Sequence, residues 1–182
     1  MIQNIAILLL FVFLIIESIQ ALLSRNNGKP RELLSTVFIV LSSTIWIFSA
    51  IDFYLISFTI CKFPSFVTWI GNALFASGIV IRTIAFIQLG QFYHYNLNIK
   101  NSHRLIMTGI YSRVRHPLYL GTLLVFFGFP LAVQSAGGIA LFFLLAVPAV
   151  WYRIRVEEKM LSSHFGKEWN EYVSTTSTLW PF

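Results

Sequence analysis

A chain of 182 residues that is 57% hydrophobic and only 11% charged is no ordinary soluble domain, in which roughly a quarter of the residues carry charge. Its net charge of +6 has no soluble basic domain to sit on, which argues against nucleic acid as a partner. A single cysteine, Cys61, excludes an internal disulfide and a thiolate cluster. Lipid is the expected solvent and the bilayer the expected partner, and the 18 phenylalanines suit lipid-facing surfaces.

A helix needs about 20 apolar residues to cross the hydrocarbon core. Residues 2–23 form the first such run, interrupted by Glu17, Ser18 and Gln20. A turn follows at 24–32, with Asn26-Asn27-Gly28 and Pro30. The second run, 33–60, exceeds the minimum and is expected to tilt. After a short turn around Pro64 comes the third, 66–89. A long polar connection, 90–117, precedes two shorter runs, 118–133 and 139–152, separated by a Ser/Gly-rich turn at 134–138. Each carries a proline, Pro130 or Pro148, and together they predict a short helical hairpin. The tail from Arg153 opens as a charged helix, passes Gly166 and ends in a Ser/Thr-rich stretch. No cleavable signal peptide, internal repeat or low-complexity segment is expected. The fold class is thus an all-α integral membrane protein of five transmembrane helices with a helical tail. It forms one domain, whose catalytic part spans about residues 90–182.

Lysine and arginine set the orientation. Arg25, Lys29, Arg31, Lys100, Arg104, Arg113, Arg115, Arg153, Arg155, Lys159 and Lys167 all fall on one side of a five-span bundle, against Lys62 on the other. That bias predicts an outside N-terminus, with the C-terminus and both polar blocks in the cytoplasm.

The hairpin should bring its two flanking polar blocks together. In the first, Arg115 and His116 stand before Pro117, which suits the first turn of a helix. A cation and an imidazole at a helix N-terminus favour binding of polar or anionic groups, and Tyr119 lies one turn in. Arg113 reads better as a positive-inside anchor. In the second block, Arg153 and Glu157 are four apart and share a helix face. A run of this kind is usually a solvated juxtamembrane face. Its return to the side of His116 favours function: an arginine there can hold a carboxylate with two hydrogen bonds, and a glutamate can hold an ammonium or a ribose hydroxyl. His94, His103, His116 and His164 lack paired metal-ligand spacing, so no metal is expected. Glu17, Asp52 and Arg82 fall in or near the hydrocarbon. They read as structural anchors, Glu17 and Asp52 near opposite ends of the bundle and Arg82 snorkelling toward the cytoplasmic edge.

These residues carry a resemblance. The block His103-Arg-Leu-Ile-Met-Thr-Gly-Ile-Tyr-Ser-Arg-Val-Arg-His-Pro-Leu-Tyr-Leu-Gly121 is similar to a motif of the isoprenylcysteine carboxyl methyltransferase family, and residues 153–172 resemble its second motif. Phospholipid methyltransferases share that core. The match runs from about Arg82 to the C-terminus. The resemblance implies S-adenosyl-L-methionine as cofactor, held by Asn96, His103, Arg104, Leu105, Ile106, Tyr111, His116, Pro117, Leu118, Tyr119 and Glu157. It gives Arg153 the acceptor carboxylate, with Arg115 and His116 completing the catalytic set. Asn96 stands where the family often has a glutamine, and Trp169 replaces a tyrosine.

The function this implies is methyl transfer to a lipid-soluble acceptor, an isoprenylated cysteine carboxylate or a similar amphiphile, by a monomer. A phospholipid, amine or thiol acceptor is one alternative. A sterol-reductase-like NADPH enzyme is another, since such enzymes carry a similar Arg-His-Pro-x-Tyr segment, and a non-enzymatic membrane scaffold is a third.

Overall fold

A computed structural model describes residues 3–23, 44–56, 63–90 and 105–179. Among them the chain is helical between turns and short extended runs. The elements are α1, Gln3–Leu23; α2, Thr44–Ile51, continued by a π-helical turn Asp52–Ile56; α3, Ser65–Leu89; a 3-10 turn, Gly109–Ser112; α4, Pro117–Ala132; α5, Ala136–Leu141; a second π-helical turn, Phe142–Ala146; α6, Val147–Phe165; and α7, Lys167–Thr175. Of the expected second span, 33–60, only Thr44 to Ile56 is described. The turn at 24–32 lies outside the described residues.

Among the described residues, three helical stretches are long and apolar enough to cross a membrane: Gln3–Gln20, Ser65–Leu89 and Ala136–Phe165. Helix α4 is apolar but has 16 residues, which reach about 24 Å, less than the ~30 Å hydrocarbon core.

The hairpin differs from its sequence expectation in two ways. Its turn occupies 133–135 rather than 134–138, because Ser135 caps α5 by accepting from Gly138 N–H at 3.1 Å. Gly137 and Gly138 are helical. Gly138 is small because Ser49 of α2 and Pro130 of α4 press against it. The second limb is also not short. It runs helically from Ala136 through Tyr152 to Phe165, since Pro148 falls just after the π-turn and at the first turn of α6, where its missing N–H costs little.

Helices α3 and α4 form the tight centre. Gly71 and Gly78, two turns apart on α3, face Gly128 and Gly121 of α4 in antiparallel register. A Cβ on Gly78 would lie 2.8 Å from Gly121 O, and one on Gly128 would lie 2.5 Å from Phe75 N. Side chains larger than hydrogen would force these backbones apart, and this close approach is how helices associate where lipid removes the hydrophobic incentive. Phe75 and Phe129 pack at 5.8 Å beside the glycines, and Phe13 of α1 joins through Trp46 at 5.0 Å.

Several polar side chains inside the bundle are tied to partners on other helices. Arg82 is tied across the bundle: its Nε and Nη2 donate to Glu17 at 2.5 and 2.7 Å, and Nη1 donates to Thr122 Oγ1 at 2.6 Å. Glu17 thereby ties α1 to α3 and α4. At the other end Ser135 donates to buried Asp52 at 2.9 Å. Gln134, at φ 61°, donates to Phe63 O and Thr68 Oγ1.

Candidate active site

The site forms where α4 begins and α6 leaves the apolar part of its helix. Gly109, at φ 63°, opens the 3-10 turn. Gln88 of α3 lies against that glycine, leaving no room for a Cβ, and its Oε1 accepts from Ile110 N–H at 3.0 Å. The turn sets buried Tyr111 against α3, where its hydroxyl donates to Ala85 O at 3.4 Å. Tyr111 O accepts from the Tyr172 hydroxyl at 2.6 Å, which fixes α7 over the turn. Burial pushes the Tyr172 phenol up to about 12, with Arg115 partly opposing.

His116 precedes Pro117 in a non-helical conformation, φ −124° and ψ 57°. Its ring does not cap α4. Nε2 lies 3.1 Å from Glu158 Oε1. Tyr119, one turn into α4, places its ring 5.6 Å from the imidazole.

Helix α6 supplies the facing groups. Arg153 and Glu157, four residues apart, share the face that meets Tyr119. Arg153 Nε donates to the Tyr119 oxygen at 2.9 Å, and Tyr119 donates to Glu157 Oε2 at 2.6 Å. Glu158 is turned about 100° further round the helix and meets the other pair: Arg115 Nε donates to its Oε1 at 3.2 Å, beside the His116 contact. Arg153 is buried, so its charge sits where ion pairing is screened less than at a free surface.

The structure therefore brings Arg115, His116, Tyr119, Arg153 and Glu157 into two adjoining networks. Pro117 is buried, and Leu118 is half-buried with its carbonyl accepting from Thr122. Leu105 and Ile106 are half-buried in the extended run leading to Gly109. Asn96, His103 and Arg104 lie outside the described residues, as does His94. Arg113 is exposed. Among the described residues no group of three or more His, Cys, Asp or Glu side chains is placed to hold a metal.

Sequence reasoning left three participants out of the site. Glu158 was visible with Glu157 as one of two acids at the membrane boundary, without a partner of its own. The extended strap formed by residues 176–178, which pairs with residues 113–116, had no local signal. Tyr172 was visible as a motif position without an assigned partner.

The donor set suits the cofactor that the resemblance implies. Carboxylates at Glu157 and Glu158 match an ammonium or ribose hydroxyls, and the faces of Tyr119 and His116 match a sulfonium.

Known proteins resemble this chain in sequence and in fold. The family model described as phospholipid methyltransferase matches residues 66–168. The protein-S-isoprenylcysteine O-methyltransferase of Saccharomyces cerevisiae is 30% identical over 159 residues, covering 86% of this chain and 65% of that protein. A probable protein-S-isoprenylcysteine O-methyltransferase of Oryza sativa subsp. indica is 30% identical over 119 residues, covering 64% and 62%. The chain thus spans a little under two thirds of the length of these relatives. A solved structure of a eukaryotic intramembrane Ras methyltransferase, isoprenylcysteine carboxyl methyltransferase, superposes with a TM-score of 0.62 at 23% identity, covering 85% of this chain and 54% of that one. The fold is shared.

Proposed function

The chain belongs to the phospholipid methyltransferase family, and we propose that it transfers a methyl group from S-adenosyl-L-methionine to the carboxylate of an isoprenylated cysteine or a similar lipid-soluble acceptor. The observation that carries this reading is the Arg153–Tyr119–Glu157 chain of hydrogen bonds. It sets a cation suited to a carboxylate beside an acid suited to the cofactor's polar end, at the start of α4, a helix packed at the centre of the bundle. The names of the yeast and rice relatives support the acceptor class.

When bound, the cofactor supplies an electrophilic methyl group on sulfur. His116, Pro117, Leu118, Tyr119, Glu157 and Tyr111 would hold it, together with Leu105, Ile106 and the preceding Asn96, His103 and Arg104. An acceptor carboxylate is ionised at neutral pH and needs no base. Arg153 therefore has to orient it, and the Tyr119 hydroxyl holds the Arg153 guanidinium in place. The chain's work is alignment and exclusion of water, which together account for much of the rate of a displacement reaction. The phospholipid methyltransferase match keeps an amine acceptor as a second reading. There His116, paired with Glu158, would take the proton.

The bundle crosses the bilayer five times, with the N-terminus outside and the site and tail in the cytoplasm. The distribution of lysine and arginine supports this. A monomer suffices, since both networks come from one chain, and residues about 90–182 supply the catalytic part.

The test uses detergent-purified protein. S-adenosylhomocysteine should raise its melting temperature where NADPH does not, and labelled methyl should pass to a prenylated N-acyl cysteine. Failure of both sinks the methyltransferase reading. Binding with transfer only to an amine lipid favours the second one.

A further inference from the structure

Two segments from opposite ends of the catalytic part lie side by side at the start of α4. Val114 and Ser177 form a parallel bridge. Arg115 N–H donates to Ser177 O at 2.8 Å, Ser177 N–H to Arg113 O at 3.2 Å, and His116 N–H to Thr178 O at 3.1 Å. So short a ladder is marginal alone. The Arg115 side chain reinforces it. Nε donates to Glu158, Nη1 to Val173 O at 3.2 Å and also to Thr176 O, and Nη2 to Thr178 Oγ1 at 2.7 Å. A guanidinium has five N–H donors. One from Nε, two from Nη1 and one from Nη2 make four already directed at acceptors of this chain. The side chain is 9% exposed.

We infer that Arg115 is a positioning residue that clamps the strap of residues 176–178 onto the start of α4, and that the strap is thereby a working wall of the methyl-transfer site. The inference rests on the methyltransferase reading above. Its geometry runs through His116. The backbone of His116 is held by the strap through Thr178 O, and its ring is held by Glu158, the same carboxylate that receives Arg115. His116 keeps a non-helical conformation because groups on the strap and on α6 satisfy it from outside α4. Releasing the strap frees the His116 N–H, and removing the guanidinium fork releases the strap. Arg115 is thus separated in role from Arg153, whose Nε meets Tyr119. By linkage, whatever binds against His116 and tightens it must protect the strap to the same extent.

Three forms test this: wild type, Arg115→Lys, which keeps the charge but loses the planar fork, and a variant ending at Thr175. Amide hydrogen exchange of residues 176–179 is read in the two full-length forms, and the Kd of S-adenosylhomocysteine and the acceptor KM for a prenylated N-acyl cysteine in all three. In wild type, S-adenosylhomocysteine should slow exchange of the strap. Arg115→Lys should speed that exchange and raise the Kd about tenfold, the scale of one lost charged hydrogen bond, while acceptor KM holds. The shortened variant should show the same Kd rise, and combining the two changes should add nothing further. Thr178→Val, a milder change than the truncation, should move strap exchange and Kd in the same direction by a smaller factor. A rise in acceptor KM with unchanged strap exchange would make Arg115 an acceptor ligand and overturn the inference. Additive effects of Arg115→Lys and the truncation, or a strap indifferent to S-adenosylhomocysteine bound by wild type, overturn it as well. Absence of any binding by wild type overturns the methyltransferase reading, and this inference falls with it.

Discussion

The Tyr119 hydroxyl donates to Glu157 Oε2 at 2.6 Å across 38 positions of sequence, and the same oxygen accepts from Arg153 Nε. One phenol therefore separates an acid from a base that share a helix face and would otherwise pair with each other directly.

Tyr119→Phe keeps the ring and removes the bridge. Arg153 and Glu157 should then collapse into a direct i,i+4 pair, pulling the arginine from the position proposed for the acceptor. We expect kcat/KM to fall about tenfold or more, which is about 1.4 kcal/mol at the transition state, with a melting temperature within a few degrees of wild type. Steady-state methyl transfer and thermal melts in detergent check both.

Arg82 and Glu17 are a pair in which one partner cannot be removed cheaply. Glu17→Ala leaves a partly buried guanidinium with Thr122 Oγ1 as its remaining named acceptor. It should destabilise by about 2 kcal/mol or more, short of the range for fully buried pairs because Glu17 is a quarter exposed. The double variant Glu17→Ala/Arg82→Ala should recover part of that loss. A denaturation series on the two singles and the double gives the coupling, and simple additivity would contradict it.

The glycine contacts make a steric prediction. Gly78→Val puts branched carbon where Gly121 O and Val125 already lie within 2.9 Å. Separation of α3 from α4 should cost about 1–3 kcal/mol or more. The exposed Gly166 has open space around it, but its φ of 52° penalises any L residue, so Gly166→Ala should cost about 1 kcal/mol through strain alone. Equal losses at the two positions would contradict the close packing.

Tyr172 predicts an alkaline transition. Its phenol titrates near 12 in the folded protein against 10.0 for the free side chain. Between those values the folded state holds a proton that the unfolded chain has released. Stability from this group is therefore complete below pH 10 and declines as pH rises toward 12. The cause is burial, and loss of the proton also removes the donor to Tyr111 O. Tyr172→Phe should flatten the slope of melting temperature against pH in that window. An unchanged slope would show that other groups govern it.

Much of this was legible in the chain. The bounds of α1 and α3 follow from long, mostly apolar runs, and the Arg–His–Pro segment marked the start of α4 because proline at the first turn has a physical reason to be there. Arg153 and Glu157 could be placed on one face by spacing alone. Other features had no local signal. The 137–138 glycines read as a turn because composition does not distinguish a glycine needed for φ from one needed for a neighbour, here Ser49. Tyr152 looked like the end of the last membrane span because hydropathy changes there, while the helix runs on into the charged segment without a break. The strap is a pairing between segments about 60 positions apart, and nothing periodic in either announces the other. Arg82 was assigned by its depth, whereas Glu17 on another helix decides its direction.

The π-turn at Phe142–Ala146 has a bearing on how this family can vary. It houses one residue more than an α-helix would over the same rise, so everything after it is rotated by about 100°. The azimuth at which Arg153 and Glu157 meet Tyr119 is set by that surplus residue, in the turn Phe142–Ala146 upstream of both. A single-codon deletion within Phe142–Ala146 would leave an apolar helix of nearly the same length and every polar residue intact. It would aim the Arg153–Glu157 face elsewhere, a frame error written in rotation instead of in reading.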